Sequence, residues 1–413
     1  MIRIAQCRSH PPGDAFGEVH EEDTDNRCVV PGRSAMAVVP FNVASVLGRE
    51  MEYIEDAIRS QHISGNGKYT SLCSSYLVDH IGSSACFLTP SCTDALEMSA
   101  LLADLHVGDE VIMPSYTFTS TANAVVLRGA VPVFVDIRRD TLNIDETLIE
   151  QAITSRTKAI MVVHYAGVGC EMDAILEIAR RYDLIVIEDA AQGLYADYRG
   201  KPLGSFGHLS AFSFHETKNI VSGEGGALMI NDSKFIDRGE ILWEKGTNRV
   251  KYKRGIVNKY NWVDVGSSFL PSEITSAFLY AQLEVGRQAT DQRLALWQAY
   301  HDAFRPLQET GKLSIPNPPD HCAHNGHIFY ILAPTAKHRE IWLDQLGVRD
   351  GINAVIHYVP LHSAPAGLRF GRSCGEMTVT DEISARLVRL PLHLQLSPDD
   401  VSRVIQSVER LPV

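Results

Sequence analysis

The chain runs to 413 residues with 45% hydrophobic content, enough to bury a large core and to divide into two domains. Its formal net charge of −12 provides no global positive field to draw it onto nucleic acid or an anionic membrane. Eight cysteines lie scattered without a CxxC pair in a chain too long to need covalent staples, so the thiols are expected to stay reduced in the cytoplasm.

Residues 1–36, which include "SHPPGDAFGEVHEEDTDNRC", are polar and rich in Pro, Gly and acids. They contain no apolar run long enough for a signal peptide or membrane span. This stretch is expected to be a disordered extension, the folded body starting beside Met36, where "AVVPFNV" begins. From residue 85, short β-branched runs alternate with helical patterns: "ACFLTP", "DALEMSALLADL", "DEVIMPS", "TSTANAVVLRG", "VPVFVDI", "KAIMVVHY", "MDAILEIARRYD", "LIVIEDA", "LSAFSF" and "GALMIND". That order indicates an α/β domain, residues 37–285, with a mostly parallel sheet between helices. One long helical pattern spans roughly 273–310. Beyond the Pro-rich "SIPNPPDHC" come the strand "HIFYILAP", the helix "REIWLDQL" and a strand near "AVIHYV", a smaller α+β domain over 286–413.

Ligands of open α/β sheets bind beyond the carboxyl ends of the strands, and three strand ends here are unusual. "FLTPSCTDALEM" ends a strand at Thr89 and opens a helix through Ser91, Cys92, Thr93 and Asp94, where free N–H groups could hold a phosphate; an ordinary N-cap that binds nothing explains the same residues. "LIVIEDAAQG" ends in Glu188 and Asp189, followed by Gln192; such carboxylates pair with a cation, ligate metal or cap a helix. "FSFHETKNIVSGEGGALMIND" sets Lys218 in a short polar turn, five residues after Ser213. A surface lysine is the plain alternative, but a desolvated lysine becomes a nucleophile that forms Schiff bases. Together, the lysine, the strand-end carboxylate and the phosphate-ready turn meet the demands of pyridoxal phosphate: a partner amine, an anion to keep its ring nitrogen protonated, and a phosphate cup. Phe118, in "PSYTFTSTAN", would stack on the ring face unless it is simply core.

The segments "PSYTFTSTANAV", "DIRRDTLNID", "KAIMVVHYAGVGCEMDAI", "VIEDAAQG" and "AFSFHETKNIVSGEGGALMIND", in that order, resemble the DegT-like sugar-nucleotide aminotransferases, from about residue 39 to the C-terminus. The resemblance implies a fold-type I pyridoxal-phosphate enzyme with a seven-stranded sheet. It implies transfer of an amine from L-glutamate to a dTDP-4-keto-6-deoxy-hexose, in a homodimer with shared active sites. By the same resemblance Lys218 carries the cofactor and shuttles the proton, Asp189 holds the ring nitrogen and Gln192 lies near the phenolic oxygen. Thr93 and Asp94 match N–H donors to the phosphate, and Ser213 a hydroxyl donor. Asn261, in "KYNWVDVGSS", matches an asparagine that reaches the phosphate from a second subunit; the family's common arginine two residues later is Val263 here. Tyr358 and His362, in "IHYVPLH", fall where the family's small domain meets substrate.

The basic stretch "EKGTNRVKYKRGIVNKY", with Arg249 and Lys251, is expected to be either a solvated loop or a landing site for the nucleotide diphosphate. "HCAHNGHIFY" gathers His321, Cys322, His324 and His327 but lacks a second ligand pair, so no metal is expected. Within the same resemblance, 3-amino transfer and sugar deoxygenation are the nearest alternatives; the latter replaces the lysine by histidine, which Lys218 argues against. A non-catalytic cofactor-sensing regulator is a more distant alternative, with no DNA-binding segment to support it.

Overall fold

Short aliphatic runs whose side chains are buried on both faces form the central sheet of the computed structural model, which describes residues 37–412; the extension expected over 1–36 lies outside them. Its strands are β1 (Ala85–Thr89), β2 (Glu110–Pro114), β3 (Val131–Val135), β4 (Thr157–Val163), β5 (Ile185–Asp189), β6 (Leu209–Ser213) and β7 (Gly226–Ile230). Two further strands, β8 (Phe329–Leu332) and β10 (Leu387–Leu390), pair antiparallel in a separate ladder, and β9 (Arg372–Ser373) lies between them in sequence. The main sheet runs β1-β7-β6-β5-β4-β2-β3-β9. Only β7 runs against the direction of the other strands. The carboxyl ends of the others therefore share one edge, and Thr89, Asp189 and Ser213 all end strands there.

The family resemblance implies seven strands; the sheet has eight, because β9 returns from the C-terminal part to pair in parallel with Val133 and Phe134. A two-residue polar strand leaves no periodic trace in the sequence. Glu110 secures this added edge. It is 1% exposed and accepts from Arg372 Nε and Nη2 at 3.1 and 2.8 Å, from Arg156 at 2.5 Å and from Thr154 Oγ1 at 2.7 Å. The Arg372 hydrogen bonds, followed by those of Thr154 and Arg156, outweigh burial and hold its carboxyl at about 2 against an ordinary 4.5. Because the folded-state value is depressed, the stabilisation is complete above the unfolded value and fades as pH falls from about 4.5 towards 2. Glu110→Gln is expected to cost about 2–3 kcal/mol at pH 7, with the gap from wild type closing below pH 3 in denaturant titrations of the apoprotein.

Flanking helices comprise α1 (Glu50–Arg59), α2 (Lys68–Ile81), α3 (Cys92–Leu102), α4 (Thr119–Val126), α5 (Met172–Tyr182), α6 (Ile236–Trp243) and α7 (Arg249–Lys253). On α5, Met172, Ile175, Ile178 and Ala179 recur at helical spacing and bury one stripe against the sheet. The single helical pattern expected over 273–310 is two helices, α8 (Glu273–Glu284) and α9 (Gly286–Glu309), divided at Val285. A Cβ at Gly286 would lie 2.3 Å from the Tyr195 hydroxyl, so glycine lets the chain restart against that ring. α9 then passes from one core to another: Ala289 packs with Leu279 and Leu283, whereas Trp297, Tyr300 and Phe304 pack with β8, β10 and Trp342.

The strand expected near "AVIHYV" does not form. Only Val355 bridges, to Arg389. His357 and Tyr358 stack with ring centroids 3.7 Å apart, which puts consecutive side chains on the same side, whereas a pleated strand sends them to opposite faces. β10, "LVRL", takes the place beside β8. Among the described residues no helix is long and apolar enough to cross a membrane.

Candidate active site

A cavity of about 850 Å³ opens at the carboxyl edge of the sheet. Ser91, Cys92, Thr93, Phe118, Asp189, Gln192, Ser213, Lys218 and Tyr358 all line it, so most of the residues singled out from the sequence meet there.

The β1–α3 turn forms one end. Ser91 is extended and caps α3, accepting from the Asp94 N–H at 3.1 Å, while its own hydroxyl donates to Asp94 Oδ2 at 2.8 Å. Asp94 is thus committed to the cap and is not part of the cavity lining. The amides of Cys92 and Thr93, first in the helix, remain as anion donors beside Ser213. Thr93 Oγ1 lies 2.8 Å from Ser120 Oγ, which joins α3 to α4. This turn rests directly on β7: a Cβ at Gly226 would meet Ser91 and Cys92 backbone atoms at 2.4 Å.

Lys218 sits on the connection from β6 to β7. Its N–H donates to the His215 carbonyl at 2.9 Å, and the next residue, Asn219, donates to the Asn325 carbonyl at 2.9 Å and lies 2.9 Å from His327 Nδ1. The loop is therefore fastened at its base while the lysine faces the cavity. Burial lowers the Lys218 pKa; Cys92 and Asp189 oppose the shift and Arg389 adds to it. The result is a larger fraction of neutral, nucleophilic amine.

Asp189 is buried and held from two sides, with Thr121 Oγ1 donating to Oδ2 at 2.7 Å and the Ala191 N–H to Oδ1 at 3.2 Å. Burial raises its pKa, against the pull of those two donors and of Lys218. Both donors are neutral, so a cationic ring nitrogen in the cavity would relieve a carboxylate the protein has desolvated without pairing. That open charge, the uncommitted amides of α3 and the amine of Lys218 fit the three ends of pyridoxal phosphate. Gln192 braces the floor: Oε1 accepts from the Ala166 N–H at 2.7 Å, and Nε2 donates to the Tyr358 hydroxyl at 2.8 Å. Ala166 has φ of 58°, a left-handed conformation this bond helps to hold. Phe118 is 57% exposed at the cavity wall rather than packed in the core.

Besides Asp94, four expected residues lie outside the lining. His362 is outside the lining, with Nδ1 2.7 Å from Ser115 Oγ and Nε2 3.4 Å from Asp381. Arg249 and Lys251 on α7 pair with Glu244 and Asp237 at 3.6 and 2.9 Å, as Arg254 does with Glu240, so acids upstream of the basic stretch neutralise much of it. Asn261 is exposed and away from the cavity of its own chain; its N–H donates to Asn248 Oδ1 at 2.7 Å. Of the "HCAHNGHIFY" group, His321 bonds Glu171, His324 packs on Trp297 and His327 faces Asn219. Three residues of the site were not singled out from the sequence: Thr121, which holds Asp189 from behind, and His357 and Arg389 in the wall; His327, also in the wall, was noted there only as one of a histidine cluster. Thr121 lies within the quoted "PSYTFTSTAN"; Arg389 breaks the apolar run "LVRLPL", and a charge inside a buried strand was the signal to follow.

The chain matches the model of the DegT/DnrJ/EryC1/StrS aminotransferase family over residues 46–409. It is 30% identical to GDP-perosamine synthase of Escherichia coli O157:H7 over 90% of this chain and 98% of that protein. It is 31% identical to UDP-4-amino-4-deoxy-L-arabinose–oxoglutarate aminotransferase of Shewanella sediminis, over 88% and 95%. Among solved structures, S. venezuelae DesV in complex with a ketimine intermediate superposes with a TM-score of 0.82 at 27% identity, covering 90% of this chain and 98% of that one.

Proposed function

Because the chain belongs to the DegT/DnrJ/EryC1/StrS aminotransferase family and is a pyridoxal-phosphate-dependent sugar aminotransferase, we propose that it moves the amine of L-glutamate to C4 of a dTDP-linked 4-keto-6-deoxy-hexose. The observation that carries this reading is the shared cavity of Lys218, Asp189 and the open amides of α3. The C4 position and the 2-oxoglutarate product draw support from the Shewanella relative, whose name gives both a 4-amino sugar and oxoglutarate. The two relatives are named for GDP and UDP sugars, and the dTDP choice rests on the resemblance of the Lys218 and "IHYVPLH" segments to those of dTDP-ketosugar aminotransferases.

The bound cofactor supplies an aldehyde to capture amines and a ring that spreads the charge left when a C–H proton departs. Lys218 takes that proton on Nζ from the donor's α-carbon and later delivers one to the sugar carbon. Asp189 keeps the ring nitrogen protonated. The amides at Cys92 and Thr93 and the Ser213 hydroxyl would hold the phosphate, Phe118 would cover the ring, and Gln192 with Tyr358 would lie near the phenolic oxygen. Asn261, exposed on its own chain, reaches the phosphate of a second copy in a cytoplasmic homodimer. Each turnover consumes one glutamate and one ketosugar and yields one 2-oxoglutarate and one aminosugar.

Incubating purified protein with dTDP-4-keto-6-deoxyglucose, L-glutamate and the cofactor is expected to give 2-oxoglutarate and aminosugar in equal amounts, the configuration read by NMR. A GDP- or UDP-linked ketosugar turned over with tenfold higher kcat/KM would correct the nucleotide. No 2-oxoglutarate with any of the three would overturn the reading.

A further inference from the structure

The connection that presents Lys218 is the end of a hairpin whose two arms carry another pair of polar side chains into the cavity. β6 and β7 pair in register as far as Ser213 and Gly226. Beyond the strands the ladder continues for two rungs, the Phe214 N–H donating to the Gly225 carbonyl at 2.8 Å and the Glu216 N–H to the Gly223 carbonyl at 2.9 Å. His215 and Glu224 fall between these rungs, at a non-hydrogen-bonded position where side chains on opposite strands come closest. Both line the cavity with Lys218. Gly223, Gly225 and Gly226 surround Glu224 in sequence, so its carboxylate stands alone on bare backbone.

The pair is oriented but not satisfied. His215 Nδ1 lies 2.9 Å from Thr217 Oγ1 and accepts the Thr217 N–H at 3.3 Å, which puts the hydrogen of the neutral ring on Nε2. Nε2 and Glu224 Oε1 are 3.7 Å apart, too far for a direct hydrogen bond, and the two side chains are 41% and 70% exposed. No lysine or arginine among the described residues lies within salt-bridge reach of Glu224. A carboxylate only accepts and this Nε2–H only donates, whereas a hydroxyl does both. A hydroxyl oxygen about 2.8 Å from each atom closes a triangle on that base, donating to Glu224 and accepting from His215. Carboxylates and phosphates, which bring negative charge and no hydrogen, are repelled from the same place.

We propose that His215 and Glu224 read the C3 hydroxyl of the hexose, an inference that rests on the 4-ketosugar reading above. The position follows from the chemistry at Lys218. C4 must stand at Nζ to receive its proton, and its ring neighbours in a 4-keto-6-deoxy-hexose are C5, which bears a methyl group, and C3, which bears a hydroxyl. The C3 hydroxyl is therefore the polar group next to the reacting carbon, and the arms that flank the lysine are where it is met. The contact sets which ring carbon faces Nζ. Glu224 also keeps the carboxylates of glutamate and the diphosphate from lodging on this wall.

Sugars without a ketone separate this idea from turnover. Calorimetric titration of the cofactor-loaded protein is expected to show dTDP-6-deoxyglucose binding about tenfold or more tighter than its 3-deoxy counterpart, because loss of the hydroxyl leaves a charged acceptor unpaired. In Glu224→Ala the two sugars are expected to bind within threefold of each other, and in His215→Ala the gap is expected to shrink at least threefold. Affinity for dTDP alone is expected to change less than threefold in both. Cofactor absorbance and melting temperature identify a variant that has failed to fold, in which case Glu224→Gln, which keeps an acceptor without the charge, takes its place with an intermediate gap. A wild type that binds the two sugars alike or binds neither, a gap that survives both alanine variants, or a loss equally large for dTDP would each overturn the proposal. Because neither sugar can be aminated, a preference for the C3 hydroxyl that vanishes with Glu224 in a protein that makes no aminosugar would uphold the subsite while the 4-ketosugar reading fell.

Discussion

Lys218→Ala is expected to lower aminosugar formation by about 10⁴-fold or more, leaving the fold and phosphate binding in place. Two functions fall on one atom. Nζ is the amine on the cavity wall whose ammonium form is disfavoured by burial, so it is available as a nucleophile, and it is also the group placed to carry the mobile proton. The loop that presents it is fastened by Asn219 and by the His215 carbonyl, neither of which uses the lysine side chain, so truncation should leave the hairpin standing. The check is threefold. Borohydride should fix the cofactor to wild type and not to the variant; steady-state assays should show the loss in kcat; and the melting temperature should stay within a few degrees. A variant that keeps a tenth of wild-type turnover would remove Lys218 from the chemistry.

Asp189→Asn should cost about 10²–10³ in kcat. Asparagine is nearly isosteric: its Oδ1 can still accept from the Ala191 N–H while its Nδ2 donates to the Thr121 hydroxyl, so one hydrogen bond reverses direction and the charge disappears. Without it the ring nitrogen of the cofactor loses its proton and the ring its capacity to hold electron density. A second consequence has a fixed sign. Since the Asp189 charge raises the Lys218 pKa, its removal leaves burial and Arg389 less opposed and should lower the Lys218 pKa further. Titrating the reaction of the apoprotein amine with an aldehyde reagent should show the midpoint shifting to lower pH in the variant. A rise, or no change, would mean the two side chains do not share one electrostatic environment.

The parts of the site that could be read in the sequence are those carried by strand ends. Apolar runs terminating at Thr89, Asp189 and Ser213 announced both the sheet and the edge where chemistry collects, because burial on both faces and termination at a polar residue are local properties. What escaped depends on which groups pair once the chain is folded. Asp94 resembles an amide donor to a ligand until its own N–H is found on Ser91. The basic stretch after Glu244 looks uncompensated until α6 brings Asp237 and Glu240 alongside it. β9 is two residues long and exists through pairing with Val133 and Phe134. Arg389 is conspicuous only once its strand is known to be buried and no acid is found opposite.

The contact at Gly226 bears on how such a catalyst could acquire new preferences. Where the backbone of one strand lies this close under the first turn of α3, no larger residue can be inserted without lifting the turn itself. The phosphate end is in that sense frozen, a fixed mount for whichever reaction the cavity performs. Diversification is left to the wall around Tyr358 and Arg389, where side chains rather than crossed backbones define the surface.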